Sequence, residues 1–474
     1  MRRLTTFCLL ISSLLSACAG ATCIYAQQQP DSAPPKPAAR SIPPISDINN
    51  TPDDSQTPAG QLQPDTTPLT GLLTPTLGTP VLEHSFLLVG AQFGSTAESA
   101  GLGSSGWYAN NFFLGNVSLV KNWRQALTSI NYSGGGYVST NNSQGDGAYQ
   151  NFSFFQDVRS ARWDVSLVDL FAYLPQSQFG FGGGTNLGQP GTGGTLSIPE
   201  PGVGGGASQN IFSAVGTRYM NTAVAQANYT LTTRDSLTLS GSDGILRFTN
   251  SADLNNDTIS AGLGYNRQLT KADTIGLFYG FAAFHFSGNP QAFGSHSAGV
   301  AYGRKITGRL ALQVSGGPQI STYRIPVNGS TRVVSGTGNA NLSYGLQNGN
   351  ITLSYHHSLS NGSGVLTGSK QDQVSFAVSQ RLGRIWSGLA NLGYSRNSSL
   401  GNMAGSSDNT YNDWFFSAGL GRPFGRDIQF GIAYTADLQR ANQPGCTGTA
   451  CNTDFTQHMI TLSLQWHTRP FVLH

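Results

Sequence analysis

Three groups of side chains in this chain could do chemistry. The first is His356-His357-Ser358, a base beside a hydroxyl nucleophile. A serine nucleophile needs its base within about 3 Å and a third group to orient it. In an extended segment, His357 and Ser358 point to opposite faces, and His356 and Ser358 share a face at roughly 7 Å. Hydrolysis is therefore the weakest functional reading, and it would act through His356. The second group is Cys446-Thr-Gly-Thr-Ala-Cys451. Two cysteines five apart in an exported chain predict a local disulfide worth roughly 2 kcal/mol in the chain-entropy account. A metal site there would need more ligands, and His458 is the one nearby candidate. The third group is acidic: Asp164, with Asp157 and Asp169 close in sequence. No metal-ligand spacing occurs elsewhere, and no cofactor is expected. The glycine runs at 180–184 and 202–206 lack the Lys-Ser/Thr and the strand-to-helix setting of a phosphate cradle.

What these groups can do depends on the elements that hold them. The chain has 474 residues, of which only 10% are charged, 10% are aromatic and 60 are glycine. Soluble proteins carry about 25% charged residues. Beyond the N-terminus no run approaches the roughly 20 apolar residues of a membrane helix. The formal net charge of +3 is too small to imply a nucleic-acid partner.

Met1-Arg2-Arg3 followed by an apolar run from Leu4 to Ala17 predicts a signal peptide over 1–26. Ile24-Tyr25-Ala26 offers cleavage before Gln27. Leu15-Ser16-Ala17-Cys18 offers a lipobox instead, with Cys18 lipidated. Residues 27–80 hold 12 of the 22 prolines, which excludes regular structure and predicts a disordered periplasmic arm. The arm reads as a linker, or as a tether to the cell wall or a periplasmic partner.

From 81 to 474 the texture changes to alternation. Ile259, Ala261, Leu263 and Tyr265 alternate with Ser260, Gly262, Gly264 and Asn266; Ile428, Phe430, Ile432 and Tyr434 alternate with Gln429, Gly431, Ala433 and Thr435; Ile460, Leu462, Leu464 and Trp466 alternate with Thr461, Ser463, Gln465 and His467. These segments reach the 9–11 residues that cross a bilayer when tilted. One set of connections is tight and basic, as in Arg381-Leu382-Gly383-Arg384 and Pro423-Phe424-Gly425-Arg426. The other is long and rich in Gly, Ser and Asn, as in Gly134–Gly147, Pro175–Asn221, Val327–Gly338, Leu400–Asn409 and Asn442–Asp454. The fold class that follows is all-β: one transmembrane antiparallel barrel of about 18 strands, preceded by the leader and the arm. Asp164 then takes the lumen parity of its strand, where it would attract cations. Asp169 takes the other parity, which suggests a bulge or a position beyond the bilayer core.

A weak repeat runs through the hairpins: Tyr265-Asn266-Arg267-Gln268-Leu269-Thr270 recurs as Tyr302-Gly303-Arg304-Lys305-Ile306-Thr307. On alternation, connections and repeat together, residues 81–474 resemble the Gram-negative outer-membrane β-barrel, porin-like proteins. The resemblance implies a bacterial outer-membrane location, contact with outer-membrane lipid and with the barrel-insertion machinery, and homo-oligomers as one assembly. It departs from the class at the C-terminus, where residues 467–474 follow Trp466, so either Trp466 or Phe471 would serve as the terminal aromatic signal. It implies a channel for passive passage or export of small or oligomeric solutes. The alternative is a structural or surface-interaction barrel with a plugged lumen. The long connection 175–221 either folds inward to narrow the lumen or stays outside.

Overall fold

The computed structural model describes residues 85–473, apart from the connections 100–105, 141–145, 175–216, 250–253, 288–291, 326–328, 361–365, 401–408 and 444–453 and positions 367, 384, 426 and 470. The leader, the arm, Cys18, Cys446 and Cys451 lie outside the described residues, as does most of the connection 175–221.

The alternating segments form strands β1 (Phe86–Ser99), β2 (Trp107–Asn122), β3 (Ala126–Ser139), β4 (Gly147–Arg159), β5 (Trp163–Leu174), β6 (Arg218–Thr230), β7 (Asp235–Phe248), β8 (Asn256–Gln268) and β9 (Asp273–Phe286). They continue as β10 (Ala292–Lys305), β11 (Leu310–Ile325), β12 (Gly329–Leu346), β13 (Gly349–Ser360), β14 (Ser369–Leu382), β15 (Trp386–Ser399), β16 (Thr410–Phe424), β17 (Ile428–Asn442) and β18 (Phe455–His467). Each pairs antiparallel with the next. β18 returns to β1, with Leu464 opposite Phe93, and closes the sheet into an 18-stranded barrel. A two-residue segment, β19 (Phe471–Val472), continues the line of β18 and pairs with Leu87 and Phe86. Closure leaves no exposed edge, which is what a bilayer demands of a sheet.

Strand parity sorts side chains as the sequence predicts. On β9, Ile275, Leu277 and Tyr279 face out and are exposed, while Thr274, Gly276 and Gly280 face in. Rows of paired residues mark where the outer apolar surface ends. Leu353, Phe376, Leu392 and Phe416 form one row across β13–β16. The next row is Tyr355, Val374, Tyr394 and Trp414, and the one beyond is His357, Asp372, Arg396 and Asn412, reaching Arg440 on β17. Apolar, then aromatic, then charged is the profile of a membrane boundary. Such a continuous apolar band, with Phe93 at 59% and Leu277 at 57% exposure, is covered by lipid rather than water. The chain is an outer-membrane-type barrel.

The tight turns are built by a local device that explains the repeat. Thr232 Oγ1 accepts from the backbone N–H of Arg234 and Asp235 and donates to Asp235 Oδ2 at 2.6 Å. Thr270 does the same with Ala272, Asp273 and the Asp273 carboxylate. Each aspartate then receives a tyrosine hydroxyl from the next hairpin: Tyr265 reaches Asp235 and Tyr302 reaches Asp273, both at 2.7 Å. Gly383 and Gly425 end β14 and β16 at φ 73° and 74°, a left-handed conformation that only glycine adopts without strain. Short turns face the periplasm and longer connections the outside in barrels of this kind. That orients the chain.

Three expected loop boundaries move. Gly134–Ser139 belong to β3, paired with β2 and β4, and 329–338 belong to β12. Arg218–Asn221 open β6. In each case glycine or polar residues that read as loop are held by backbone ladders, which do not depend on side-chain type. Asp169 faces out as its parity requires. Pairing runs unbroken through it, so there is no bulge; Asn221 Nδ2 donates to its carboxylate at 2.7 Å.

Candidate functional site: the outer mouth of the lumen

The lumen face is polar along most of its length. Cross-strand hydrogen bonds knit it: Thr96 with Thr461 at 3.0 Å, Ser242 with Ser260 at 2.7 Å, and Gln319 Nε2 donating to Ser295 Oγ at 2.8 Å. Toward the outer end this texture gives way to three distinct patches.

The first patch is apolar. Phe284 and Phe286 on β9, Phe293 on β10 and Tyr323 on β11 share the lumen parity and are buried together with Leu359. The Phe284 and Phe293 rings stack at 4.3 Å, and Tyr323 lies 5.5 Å from Phe293. Leu359 has the lipid-side parity of its strand, yet it is 2% exposed inside this cluster. The cause is a local parting of strands. Pairing of β12 with β13 stops at Gly338 opposite His357, while β12 continues to Gly329 along β11. Ser358–Ser360 are left paired to β14 alone and turn inward. After the connection, Leu366 is buried against Tyr411 of β16, with Ala441 of β17 beside it. Gly368, at φ 94°, sits so close to Phe293 that an added Cβ would lie 2.5 Å from its ring and 2.9 Å from Leu400. Just before β14, Leu366 therefore meets the β16–β17 wall and Gly368 the β9–β11 wall at the mouth.

The second patch is aromatic: Phe112 on β2, Tyr137 on β3 and Tyr149 on β4, with Leu114 and Ala172. The third is acidic. Glu98 on β1 is fully buried and receives hydrogen bonds from Tyr108 Oη at 2.7 Å, Asn110 Nδ2 at 2.8 Å and Gln457 Nε2 at 3.2 Å. Gln457 on β18 lies opposite Asp437 on β17, and Gln439, the next lumen residue of β17, lies opposite Asp413 on β16. Asp413 and Asp437 are 0% and 6% exposed, and one carboxylate oxygen of each has no hydrogen-bond partner. No ion pair among the described residues involves Glu98, Asp413 or Asp437.

The residues singled out in the sequence fall elsewhere. Asp164 does face the lumen, half-buried, near the periplasmic end. Asp157 lies on the next strand, paired with Arg159 at 2.7 Å. His356 and Ser358 face in and His357 faces out, as alternation predicts. Ser358 Oγ has no hydrogen-bond partner, so no base activates it. His357 Nδ1 lies 2.6 Å from Asp372 on the outer surface, beyond the reach of any lumen nucleophile. The acidic patch escaped sequence reasoning. The lumen parity of Asp413 was readable from Trp414 beside it, but the approach of Gln457 to Glu98 follows only from barrel closure.

No protein-family model and no curated protein sequence matches the chain. Among solved structures, the outer membrane protein OpdK from Pseudomonas aeruginosa is similar, at 13% identity over 82% of this chain and 100% of that one, with TM-score 0.41. OccK2 (OpdF) from Pseudomonas aeruginosa, in complex with glucuronate, is similar at 11% identity over 81% and 99%, with TM-score 0.42. The unliganded ferric citrate transporter FecA is similar at 9% identity over 77% and 61%, with TM-score 0.41. At these identities and scores the likeness assigns no activity to this chain.

Proposed function

We propose that the barrel is a diffusion channel for small polar solutes across the outer membrane, narrowed at its outer mouth. The observation that carries this reading is the inversion of the sheet. Its outside is apolar, and its inside is lined by Ser, Thr, Asn and Gln that hydrogen-bond across strands, as a wet lumen requires. Barrels of 16–18 strands are wide enough to leave an aqueous channel. Direction, whether uptake or export, would follow from the solute gradient in a passive channel. Catalysis is not part of this reading, since Ser358 lacks a base.

A second reading has one observation in its favour. Many lumen side chains at the outer mouth are fully buried, among them Glu98, Asn256, Ser295 and Asp413. A barrel closed at that level would be structural, or would present its surface to partners. Reconstitution of the purified protein in planar bilayers separates the two. Discrete conductance steps in 1 M KCl support the channel; a correctly folded barrel that gives none overturns it.

A further inference from the structure

We propose that Arg422, on the lipid-facing side of β16 near its periplasmic end, holds the phosphate of a phospholipid headgroup in the inner leaflet of the outer membrane. The site needs the barrel and its orientation, and it does not depend on whether the lumen conducts.

Strand parity turns Arg422 toward lipid. Trp414, Phe416 and Leu420 face out from β16, and Arg422 and Phe424 continue the same alternation. Arg422 lies opposite Phe430 of β17, which shares its face with Ile428 and Ile432. On the other side stands Trp386, the first residue of β15, with the guanidinium carbon of Arg422 5.4 Å from its ring centre. The Phe424 ring is 5.1 Å away, and Phe424 in turn meets Phe430 edge-on. A permanent positive charge is thus set among Trp386, Leu420, Phe424 and Phe430, half-buried on a surface that lipid covers.

A guanidinium carries five N–H donors and no acceptor. Two aromatic rings attract its charge, but they bring no oxygen to its N–H groups. Arg422 Nε is shut off from solvent and has no hydrogen-bond partner. No ion pair among the described residues involves Arg422. Two other outward arginines at this end are neutralised within the chain: Arg267 lies 4.0 Å from Asp235, and Arg304 lies 3.7 Å from Asp273. Arg422 has rings where those have a carboxylate. A charge beside hydrocarbon is costly until it meets a counter-charge, so Arg422 must find its anion outside the chain.

Depth identifies the source of that anion. Aromatic side chains mark the headgroup level of a bilayer, and Arg422 is held between two of them. The tight turn at Gly425 follows directly beyond Phe424, and the apolar band begins at Leu420 on the other side. An anion on that face and at that level is a lipid phosphate, with its acyl chains over Leu420 and Phe430. Phosphate oxygens match the planar fork of a guanidinium, which a lysine ammonium does not offer.

The test uses the full-length barrel folded in nonionic detergent, with phosphatidylglycerol as the probe and bound lipid counted by native mass spectrometry. Diacylglycerol with the same chains is the comparison without phosphate. The wild type should bind phosphatidylglycerol more tightly than diacylglycerol. A basic residue beside an anionic headgroup strengthens binding about fivefold, so Arg422→Gln should weaken phosphatidylglycerol by about that factor and leave diacylglycerol unchanged. Arg332→Gln removes an exposed charge on the stretch of β12 beyond its pairing with β13, and it should change neither. Heat-dependent gel mobility confirms that each variant is folded. Equal binding of the two lipids to the wild type, or equal loss in Arg422→Gln and Arg332→Gln, overturns the site. Inorganic phosphate that displaces the lipid at equal concentration assigns Arg422 to a free anion and overturns the lipid as its partner.

Discussion

Phe293→Ala should open the outer mouth without opening the barrel. Phe293 is 3% exposed, stacks on Phe284 at 4.3 Å and touches Tyr323, and it meets Gly368 just before β14. Truncating a buried phenylalanine costs about 3–5 kcal/mol in a closed core. Here the vacated volume adjoins a polar lumen, so water can enter and the lower end, about 3 kcal/mol, applies. That loss falls on one patch. The backbone ladders of β10 with β9 and β11 run on through residue 293 and do not involve its ring. The heat-modifiable migration of the barrel should therefore persist, while conductance rises and becomes noisier as Gly368 loses its contact with the ring. Leu400→Ala removes a partner on the other side of Gly368, and residues in contact couple by about 0.5–3 kcal/mol. Urea titration of the single and double variants measures that coupling. Phe93→Ala, on the lipid face, is the comparison. If Phe293→Ala matches Phe93→Ala in conductance and noise, the apolar patch does not narrow the mouth and the reasoning is wrong.

Leu277→Arg places a charge within the lipid-facing band, where such substitutions cost about 2–4 kcal/mol near the bilayer midplane. The same change at Gln313, which faces the lumen and is only half-buried, should leave stability in lipid much closer to wild type, as read by urea titration in vesicles. Intact-mass analysis of the mature protein decides its N-terminus: a chain beginning at Gln27 or one beginning at acylated Cys18. The same spectrum, taken after alkylation with and without reductant, shows whether Cys446 and Cys451 are joined; free thiols before reduction would end the disulfide proposal.

Much of the fold was legible because a barrel strand writes its environment into every second residue. Leu263 and Tyr265 face lipid, Ser260 and Asn266 face the lumen, and no long-range contact is needed to know it. The turn device was half-legible. The recurrence of Tyr and Thr was visible, but the Tyr265 hydroxyl bonds Asp235, 30 residues earlier, across a strand pairing that sequence alone does not measure. Loop lengths were read too generously wherever glycine was dense, since backbone ladders hold Gly134–Gly136 as well as they hold valine.

The sequence by itself determined the class of molecule: which face of each strand meets lipid, where the tight turns fall, that the strands number about 18, and that Asp164 looks into the lumen and Ser358 cannot meet a base on its neighbour. These are local properties, carried by residues within a strand length of one another. Only the tertiary structure decided the site. Glu98 and Gln457 are 359 positions apart in the chain and share a hydrogen bond because β18 closes on β1. Leu359 enters an apolar cluster against its own parity because β12 and β13 part above Gly338 and His357. Closure and parting depend on the sum of all strand registers around the ring, which no single segment encodes. For that reason the direction in which Asp164 faces was legible in the sequence, and the meeting of Glu98 with Gln457 was not.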